Sequence, residues 1–276
     1  MNAIESRKSV RNFQQSPLRD SDIQKIQTYL NKPENRIGPH GNQIKLKLLL
    51  GSALNNNEKI ATYGIIKNAQ GYLLGSCINT AQAVFDFSFV FEGLILYLTE
   101  SGIGTCWLGG TFKRQEILQY FPLNENEIIP AISPLGYAMD NKHFKERMMR
   151  QFIKADRRKS ADQLFFCEDF TKPLTNQAEV YQQPLEYIRI APSAKNNQPW
   201  RIVVSKDLSK VHFYILNKLQ NEKAFACAQE ILDIGIAYRH FVSGMAEQGI
   251  QGQLISDDPG IEMVNEMEYI GTWMGE

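Results

Sequence analysis

Two short segments of the sequence carry side chains that could bind a ligand, and the first lies near the N-terminus. Arg7 and Arg11 are one helical turn apart on a common face, with Ser9 between them. Arginine presents a planar fork of donors to phosphate oxygens, and a neighbouring hydroxyl supplies a further donor. These three side chains could therefore hold a phosphomonoester. A solvated basic N-terminus accounts for the same residues, and the sequence leaves both interpretations open.

The second segment is Ala191–Trp200, a run of small and amide side chains that contains two prolines and leads into a strand. Pro192 and Pro199 each disfavour the helical conformation in the residue before them, so the residues between them can form only a tight turn or one helical turn. Backbone N–H groups, the Ser193 hydroxyl and the Asn196 amide would then point in one direction, which suits the polar edge of a planar heterocycle or a polyol. A well-made connection between a helix and a strand is the alternative.

Composition limits the class of ligand. The chain has 276 residues, and its 30 basic and 30 acidic side chains cancel, so the charge balance points to neither nucleic acid nor an anionic membrane. A small neutral or modestly charged ligand is the better expectation. The four cysteines form no C-x-x-C pair and the N-terminus does not resemble a secretory signal, which predicts a reducing cytoplasm. The four histidines show no metal-binding spacing, so we expect no metal site.

A long apolar segment must form the centre of the structure that positions these side chains. From about Asn79 to Glu100 the chain is apolar on nearly every face, which is typical of a helix buried among other elements. A transmembrane helix is the competing interpretation. Asp86 and Glu92 lie near the middle of the segment and argue against it, because charges are rare inside a membrane. We therefore expect the helix to pack against other parts of the protein.

The same pattern recurs later in the chain. Residues 85–108 align without a gap with a second, largely apolar segment at 232–255, and the alignment places Asp86 opposite Asp233. Two predicted strands precede each of these helices, and a final strand follows each. The shared order predicts an internal duplication of one α+β unit, with a first unit in residues 1–160 and a shorter second unit in residues 161–276.

A glycine-rich segment, Gly102–Gly110, follows the first long helix. Gly102 is a predicted helix C-cap, and the pair Gly109-Gly110 would allow a ligand to approach the backbone closely. The segment does not match a dinucleotide-binding fingerprint, because that motif needs a strand before the glycines and here a helix precedes them. Arg157 and Arg158 lie where the two units join. They could provide a second basic contact, although a charge run in a linker is usually solvated.

Together these motifs resemble the nitroreductase-like flavoproteins, in the branch where two copies of the unit are fused in one chain. The segment Arg7-Lys8-Ser9-Val10-Arg11 resembles the N-terminal flavin-phosphate motif of that family, and Ala191–Trp200 is similar to its Pro-Ser-x-x-Asn-x-Gln-Pro-Trp segment. Gly102–Gly110 looks like the family's loop against the flavin ring, and Arg157-Arg158 stands where a C-terminal basic pair is expected. The resemblance covers most of the chain and implies an α+β, nitroreductase-like fold with the two long helices packed as a pseudo-dimer.

The resemblance also implies the contacts with the cofactor and shows where the chain departs from the family. The family has the Pro-Ser segment shortly after the arginine motif of the same unit, whereas here it lies in the second unit and Gly38–Gln43 keeps only fragments of it in the first. Ala194 stands where the family commonly has a hydroxyl residue. The implied cofactor-binding residues are Arg7, Lys8, Ser9, Arg11, Trp107, Leu108, Gly109, Gly110, Arg157, Arg158, Pro192, Ser193, Ala194 and Asn196.

A nitroreductase-like chain would hold FMN noncovalently, accept electrons from NADH or NADPH and pass them to a small organic acceptor such as a nitroaromatic or a quinone. The flavin carries that chemistry, so the resemblance demands no general acid or base and we assign no catalytic side chain. Lys195 could contribute at the ring edge, although an exposed loop lysine is the alternative. Two other functions stay open: a flavin-binding protein without turnover, and a degenerate duplicated domain with a structural role.

The positions of the motifs also predict stoichiometry and assembly. In a family dimer each site takes the arginine motif from one unit and the Pro-Ser loop from the other. Here the arginine motif occurs only in the first unit, at Arg7–Arg11, and the intact loop only in the second, so the resemblance predicts one FMN per chain. If the two long helices satisfy each other within one chain, as the subunits of a family dimer do between chains, the protein is a monomer.

Overall fold

The structure is a computed structural model, and its described residues divide into two compact α+β units. The first unit comprises the described residues up to 139, and the second comprises those from 157 onwards. The division of the chain at residue 160 stays a prediction. The described residues are 2–53, 62, 64–139, 157–174, 179–216, 229–263 and 266–276.

The first unit is an antiparallel sheet with one long helix and several short ones. Its helices are α1 (Ala3–Ser6), α2 (Asp20–Asn31), α3 (Ala81–Glu100) and α4 (Arg114–Leu118). Its strands are β1 (Lys45–Leu50), β2 (Gly71–Ile78), β3 (Gly104–Thr105), β4 (Glu127–Ile128) and β5 (Ser133–Gly136). The strand order is β1-β2-β5-β3, with β4 paired to the end of β2. The last strand in this order, β3, follows α3 directly.

The second unit is built on a larger sheet. Its helices are α5 (Glu179–Ile190) and α6 (Gln229–Glu247), and its strands are β6 (Phe165–Cys167), β7 (Asp169–Pro173), β8 (Trp200–Val204), β9 (Lys210–Leu216), β10 (Gly252–Ile255) and β11 (Met267–Gly275). The strand order is β10-β11-β9-β8-β6-β7, and β6 and β8 pair in parallel. The Pro-Ser segment therefore leads from the end of α5 into a central strand.

The long helix α3 forms where the apolar pattern predicted it. Thr80 caps its N-terminus by accepting the backbone N–H of Ala83 at 3.2 Å. Among the described helices, α3 is the one long and apolar enough to cross a membrane, but 78% of its apolar window is buried inside the protein. It is therefore a core helix. Two of its three acidic residues, Asp86 and Glu92, are fully buried, so each of these carboxylates must find partners inside the protein.

Both long helices end in the same way. Gly102 follows α3 with a φ of +74°, and Gly249 follows α6 with a φ of +75°. In each case the glycine N–H bonds three residues back and the next N–H bonds five residues back, as in Ile103 to the carbonyl of Leu98 at 2.9 Å. The predicted C-cap at Gly102 is confirmed. The internal duplication stays a prediction.

The helices α5 and α6 pack closely at Gly244, and a substitution there tests this packing. A Cβ at Gly244 would lie 2.8 Å from the Cα of Pro184 and 3.0 Å from the ring of Tyr187. Gly244→Ala should therefore lower the free energy of unfolding by about 1–2 kcal/mol, because overpacking outweighs a gain of about 1 kcal/mol in helix propensity. Urea denaturation measures the change. Ser243→Ala on the same helix is the control and should be close to neutral; a Gly244→Ala protein more stable than the wild type would contradict the packing.

Candidate functional site

In the first unit, the arginine motif and the glycine-rich segment lie side by side. Ser9 forms a parallel β-bridge with Thr105, and Val10 donates its N–H to the carbonyl of Thr105 at 2.8 Å. A Cβ at Gly104 would lie only 2.7 Å from the Val10 side chain, so a glycine lets the two segments meet. Two of the four predicted groups, Arg7–Arg11 and Trp107–Gly110, thus share one edge of this unit.

The spacing of Arg7 and Arg11 suggested a helix face, but in the structure these arginines do not lie on a helix. The helix α1 ends at Ser6, and the residues after it run along β3. In an extended chain alternate side chains point the same way, so Arg7, Ser9 and Arg11 still share a face. All three act on the thiol of Cys106. Burial raises the pKa of this thiol. The positive charges of Arg11 and Arg7 and a hydrogen bond with Ser9 oppose that rise.

Glu92, in the middle of α3, connects the two segments. Its Oε1 lies 3.8 Å from Nε of Arg7, and its Oε2 accepts a hydrogen bond of 2.6 Å from the indole Nε1 of Trp107. The indole ring also packs edge-on against Phe91, with ring centroids 4.9 Å apart. One buried carboxylate therefore fixes a residue of each motif. In the sequence, Glu92 argues against a membrane span, but an acid inside an apolar helix is also itself a signal of function or of a buried ion pair.

Arg114 fixes the glycine pair. Its Nη2 donates to the carbonyl of Gly109 at 2.8 Å, and its Nε donates to the carbonyl of Ile129 at 3.2 Å. Because the peptide bond is trans, a carbonyl of Gly109 that points to Arg114 directs the N–H of Gly110 to the opposite side. A Cβ on Gly109 would touch nothing within 4 Å. This peptide is thus held rigidly with open space beside it. No motif in the sequence marks Arg114 as the residue that holds it.

Leu108 was also predicted to contact the cofactor, but its backbone and side chain are both used in contacts within the first unit. Its N–H and carbonyl both pair with Ile132, at 2.9 and 3.0 Å. Its side chain is buried in the hydrophobic core of the first unit. Within this unit Leu108 anchors the segment between Trp107 and Gly109.

In the second unit, the basic pair and the Pro-Ser loop are bonded together. Arg158 donates to the Oδ1 of Asn196, and also to the carbonyl of Ile190 at 3.0 Å. The Nδ2 of Asn196 donates in return to the carbonyl of Arg157 at 2.8 Å. Both ends of the Asn196 amide are therefore used to hold the loop. Lys159 completes the contact, because its N–H donates to the Oε1 of Gln198 at 2.8 Å.

The Pro-Ser loop adopts an unusual backbone. Residues Ala194–Asn196 form a single 3₁₀ turn, which confirms the tight turn predicted from the two prolines. Lys195, Asn196 and Gln198 have φ values of +52°, +57° and +48°. Left-handed non-glycine residues cost about 1–3 kcal/mol each and cluster at functional sites. The surrounding bonds sustain this strain, including the hydroxyl of Ser193, which accepts the N–H of Gln198 at 3.0 Å.

A buried aspartate on each long helix holds a loop. Asp233 on α6 accepts the N–H of Ala194 at 2.9 Å, and Asp86 on α3 accepts the N–H groups of His40 and Asn42, each at 3.0 Å. These are the two aspartates that the sequence alignment places opposite each other. In the first unit the carboxylate also leaves no room for a side chain at Gly38, where a Cβ would lie 2.2 Å from the Cβ of Asp86. The Gly38–Gln43 turn is thus closed on α3.

The carboxyl of Asp233 gives the stability of the second unit a characteristic pH dependence. The pKa of Asp233 is raised from the ordinary 3.8 to about 8, chiefly by burial and in smaller part by the charge of Glu230, while the N–H of Ala194 opposes the rise. Between these two pH values the folded chain holds a proton that the unfolded chain has lost, so this group makes unfolding easier as pH rises, by about 1 kcal/mol per pH unit. Below about pH 4 the penalty is absent.

Asp233→Asn should remove this dependence, because an amide mimics the protonated acid and can still accept the N–H of Ala194. The difference in unfolding free energy between variant and wild type should grow in favour of the variant from pH 4 to pH 8. Chemical denaturation at several pH values measures it, with the exposed Asp162→Asn as control. Parallel pH profiles for Asp233→Asn and the wild type would show that Asp233 is ionised throughout.

Comparison with known proteins agrees with the family resemblance found in the sequence. A family model described as "Putative TM nitroreductase" matches residues 1–245 of the chain. A solved nitroreductase structure from Thermotoga maritima aligns with a TM-score of 0.58 and 19% identity over 100% of this chain and 93% of its own. A nitroreductase family protein from Clostridium difficile 630 aligns with 54% of this chain and 91% of its own, at 20% identity and a TM-score of 0.40.

An FMN-dependent nitroreductase from Clostridium difficile R20291 aligns with 51% of this chain and 88% of its own, at 14% identity and a TM-score of 0.38. No curated protein matches the chain. The family model spans most of the sequence, and the whole-chain alignment confirms the α+β, nitroreductase-like fold. The chain belongs to the nitroreductase family that this model describes.

Proposed function

We propose that the protein is an FMN-dependent oxidoreductase that takes electrons from NADH or NADPH and reduces a small organic acceptor, such as a nitroaromatic or a quinone. Membership of the nitroreductase family supports an oxidoreductase. The observation that carries the finer proposal is the meeting of Arg7, Ser9 and Arg11 with the Trp107–Gly110 segment along β3. Anion-binding side chains and a rigid glycine-containing segment are the two kinds of group that a flavin mononucleotide requires.

The donors in the first unit fit a phosphate. Nε of Arg7 is buried and makes no hydrogen bond among the described residues, so a buried donor is left for a ligand. Ser9 and Arg11 face the same side, and Lys8 is exposed beside them. A phosphate dianion placed on the face shared by Arg7, Ser9 and Arg11 would meet two guanidinium groups and a hydroxyl. We therefore assign Arg7, Ser9 and Arg11 to the phosphate of FMN, and Lys8 on the strength of the motif alone.

The remaining assignments concern position. Bound FMN supplies the redox chemistry, and the protein supplies orientation and electric field. Arg114 holds the peptide that follows Gly109, so the N–H of Gly110 is available to a polar ring edge. In the second unit we assign Pro192, Ser193 and Ala194 to the flavin on the strength of the motif, with Arg157, Arg158 and Asn196 holding their loop. No catalytic side chain is assigned.

The compartment and assembly belong to the same proposal. Among the described residues, Cys77, Cys106 and Cys167 are free thiols, which supports a reducing cytoplasm. A monomer that uses no nucleic acid or membrane stays a prediction from the sequence.

The visible spectrum tests the proposal. The purified protein, supplied with FMN, should be yellow, should bleach on anaerobic addition of NADH or NADPH, and should recover its colour when a nitroaromatic or a quinone is added. A yellow protein inert to both nucleotides would favour a flavin-binding protein without turnover. A colourless protein that takes up no FMN would contradict both functions.

Replacement of Arg11 tests the phosphate assignment without disturbing the buried pair of Arg7 and Glu92. Arg11→Ala should weaken FMN binding by about one to two orders of magnitude, because a hydrogen bond to a charged group contributes about 1.5–3 kcal/mol. The exposed Lys32→Ala in the same unit removes the same charge and should leave binding unchanged. Fluorescence titration with FMN gives both affinities. Equal affinity for Arg11→Ala and the wild type would show that the segment is only a basic terminus.

The sequence-based stoichiometry can be tested directly. One FMN should bind per chain, because the arginine motif occurs once and Glu168–Val180 in the second unit offers one lysine and no arginine to a phosphate. The ratio follows from the absorbance of released FMN and amino-acid analysis of the protein after saturation. A ratio near two would overturn this prediction.

A further inference from the structure

Arg7, Ser9 and Arg11, with Lys8, are here called the phosphate clamp. The contact between Glu92 and Arg7 places a negative charge beside this clamp, and that charge repels a bound phosphate. The carboxylate of Glu92 is fully buried, and the side chain of Arg7 is 10% exposed. Charges removed from water in this way interact strongly, since the surrounding dielectric is low. The same carboxylate holds Trp107 by a hydrogen bond of 2.6 Å. Glu92 therefore acts on both segments assigned to the flavin.

We infer that Glu92 is the resident counter-ion of the phosphate clamp, which keeps Arg7 and Trp107 in place when flavin is absent and weakens the affinity of the clamp for FMN. The inference rests on the proposed function, because it takes Arg7 as a contact of the FMN phosphate. It adds a residue that sets affinity, outside the recognised motifs.

In the apo protein, Glu92 stabilises the positions of Arg7 and Trp107. Without Glu92, Arg7 would be a largely buried cation without this counter-ion. Removing one partner of a buried ion pair is strongly destabilising, because the charge that remains is uncompensated. Trp107 would also lose the acceptor of its indole N–H, and a buried donor without an acceptor is costly.

The weaker affinity for FMN follows from the rigidity of α3. Glu92 lies in the centre of a helix whose neighbouring residues are buried, so its carboxylate cannot turn into solvent when a phosphate arrives. A fixed negative charge repels a phosphate dianion as strongly as a positive charge at the same distance attracts it. The repulsion therefore persists in the complex. A residue that merely shaped the site would have the opposite effect, because its removal would loosen the clamp and weaken binding.

The decisive variant is Glu92→Gln, which keeps the size of the side chain and removes the charge. The apo protein should unfold about 5 °C or more below the wild type, as expected for a broken buried pair. FMN should nevertheless bind at least about tenfold more tightly, with a steeper dependence on salt. Riboflavin, which lacks the phosphate, should show no such gain. Thermal unfolding and fluorescence titration with FMN and riboflavin supply these measurements without reference to turnover.

Controls separate this inference from the proposed function. Asp22→Asn removes another buried acid of the same unit, bonded to Arg19 and Tyr137, and should leave FMN affinity unchanged. A folded Glu92→Gln that binds FMN no more tightly than a flavin-binding wild type would overturn the counter-ion role alone. A wild type that takes up no FMN would overturn the proposed function and this inference with it.

A second pair of variants keeps the test decisive if Glu92→Gln does not fold. Arg7→Gln leaves the carboxylate facing the phosphate, whereas the double variant Arg7→Gln with Glu92→Gln leaves neither charge. The double variant should bind FMN at least about tenfold more tightly than Arg7→Gln, because only the single variant retains the repulsion. Equal affinities would overturn the inference.

Discussion

The buried carboxylates of the two long helices are the contacts on which the neighbouring loops depend. An ionised side chain in an apolar interior is costly unless it is paired or hydrogen-bonded. Asp86 meets this requirement with loop N–H groups, and Glu92 meets it with a cation and an indole. Asp233, whose raised pKa keeps it protonated near neutral pH, accepts a loop N–H as well. Each loop is therefore fixed by a helix that is itself immobilised in the core. In both units the helix serves as a frame, which places flexible segments to within hydrogen-bond distance.

The Pro-Ser loop shows how such a frame supports strain. Three of its residues have positive φ although none is a glycine, and an isolated peptide would relax. Here the loop is bonded from two sides, by Asp233 beneath Ala194 and by Arg158 beside Asn196. The basic residue Arg158, which could bind a ligand anion directly, is largely engaged in this support. The loop thus keeps a fixed shape in the second unit before any ligand binds.

The first unit positions its donors and its glycine pair by different contacts. Its donors come from a segment that lies along β3, and the peptide after Gly109 is held in place by Arg114. A flavoprotein needs little more from its side chains, because the cofactor carries the electrons and the protein sets position and field. Charge placement then becomes the main variable. The buried pair of Arg7 and Glu92 is the clearest example in this unit, because it sets a negative charge beside a positive one.

The sequence alone determined the elements and the motifs. Hydrophobic periodicity located the two long helices and the strands before them, glycine marked the end of α3, and the prolines limited the Pro-Ser loop to one turn. Only the tertiary structure decided which groups meet. The spacing of Arg7 and Arg11 suggested a helix face, but pairing of Ser9 with Thr105 extends the chain instead. The contacts of Glu92 and Arg114 were likewise invisible, because they depend on how side chains pack in the folded chain, and local patterns report only on local backbone preferences and on burial.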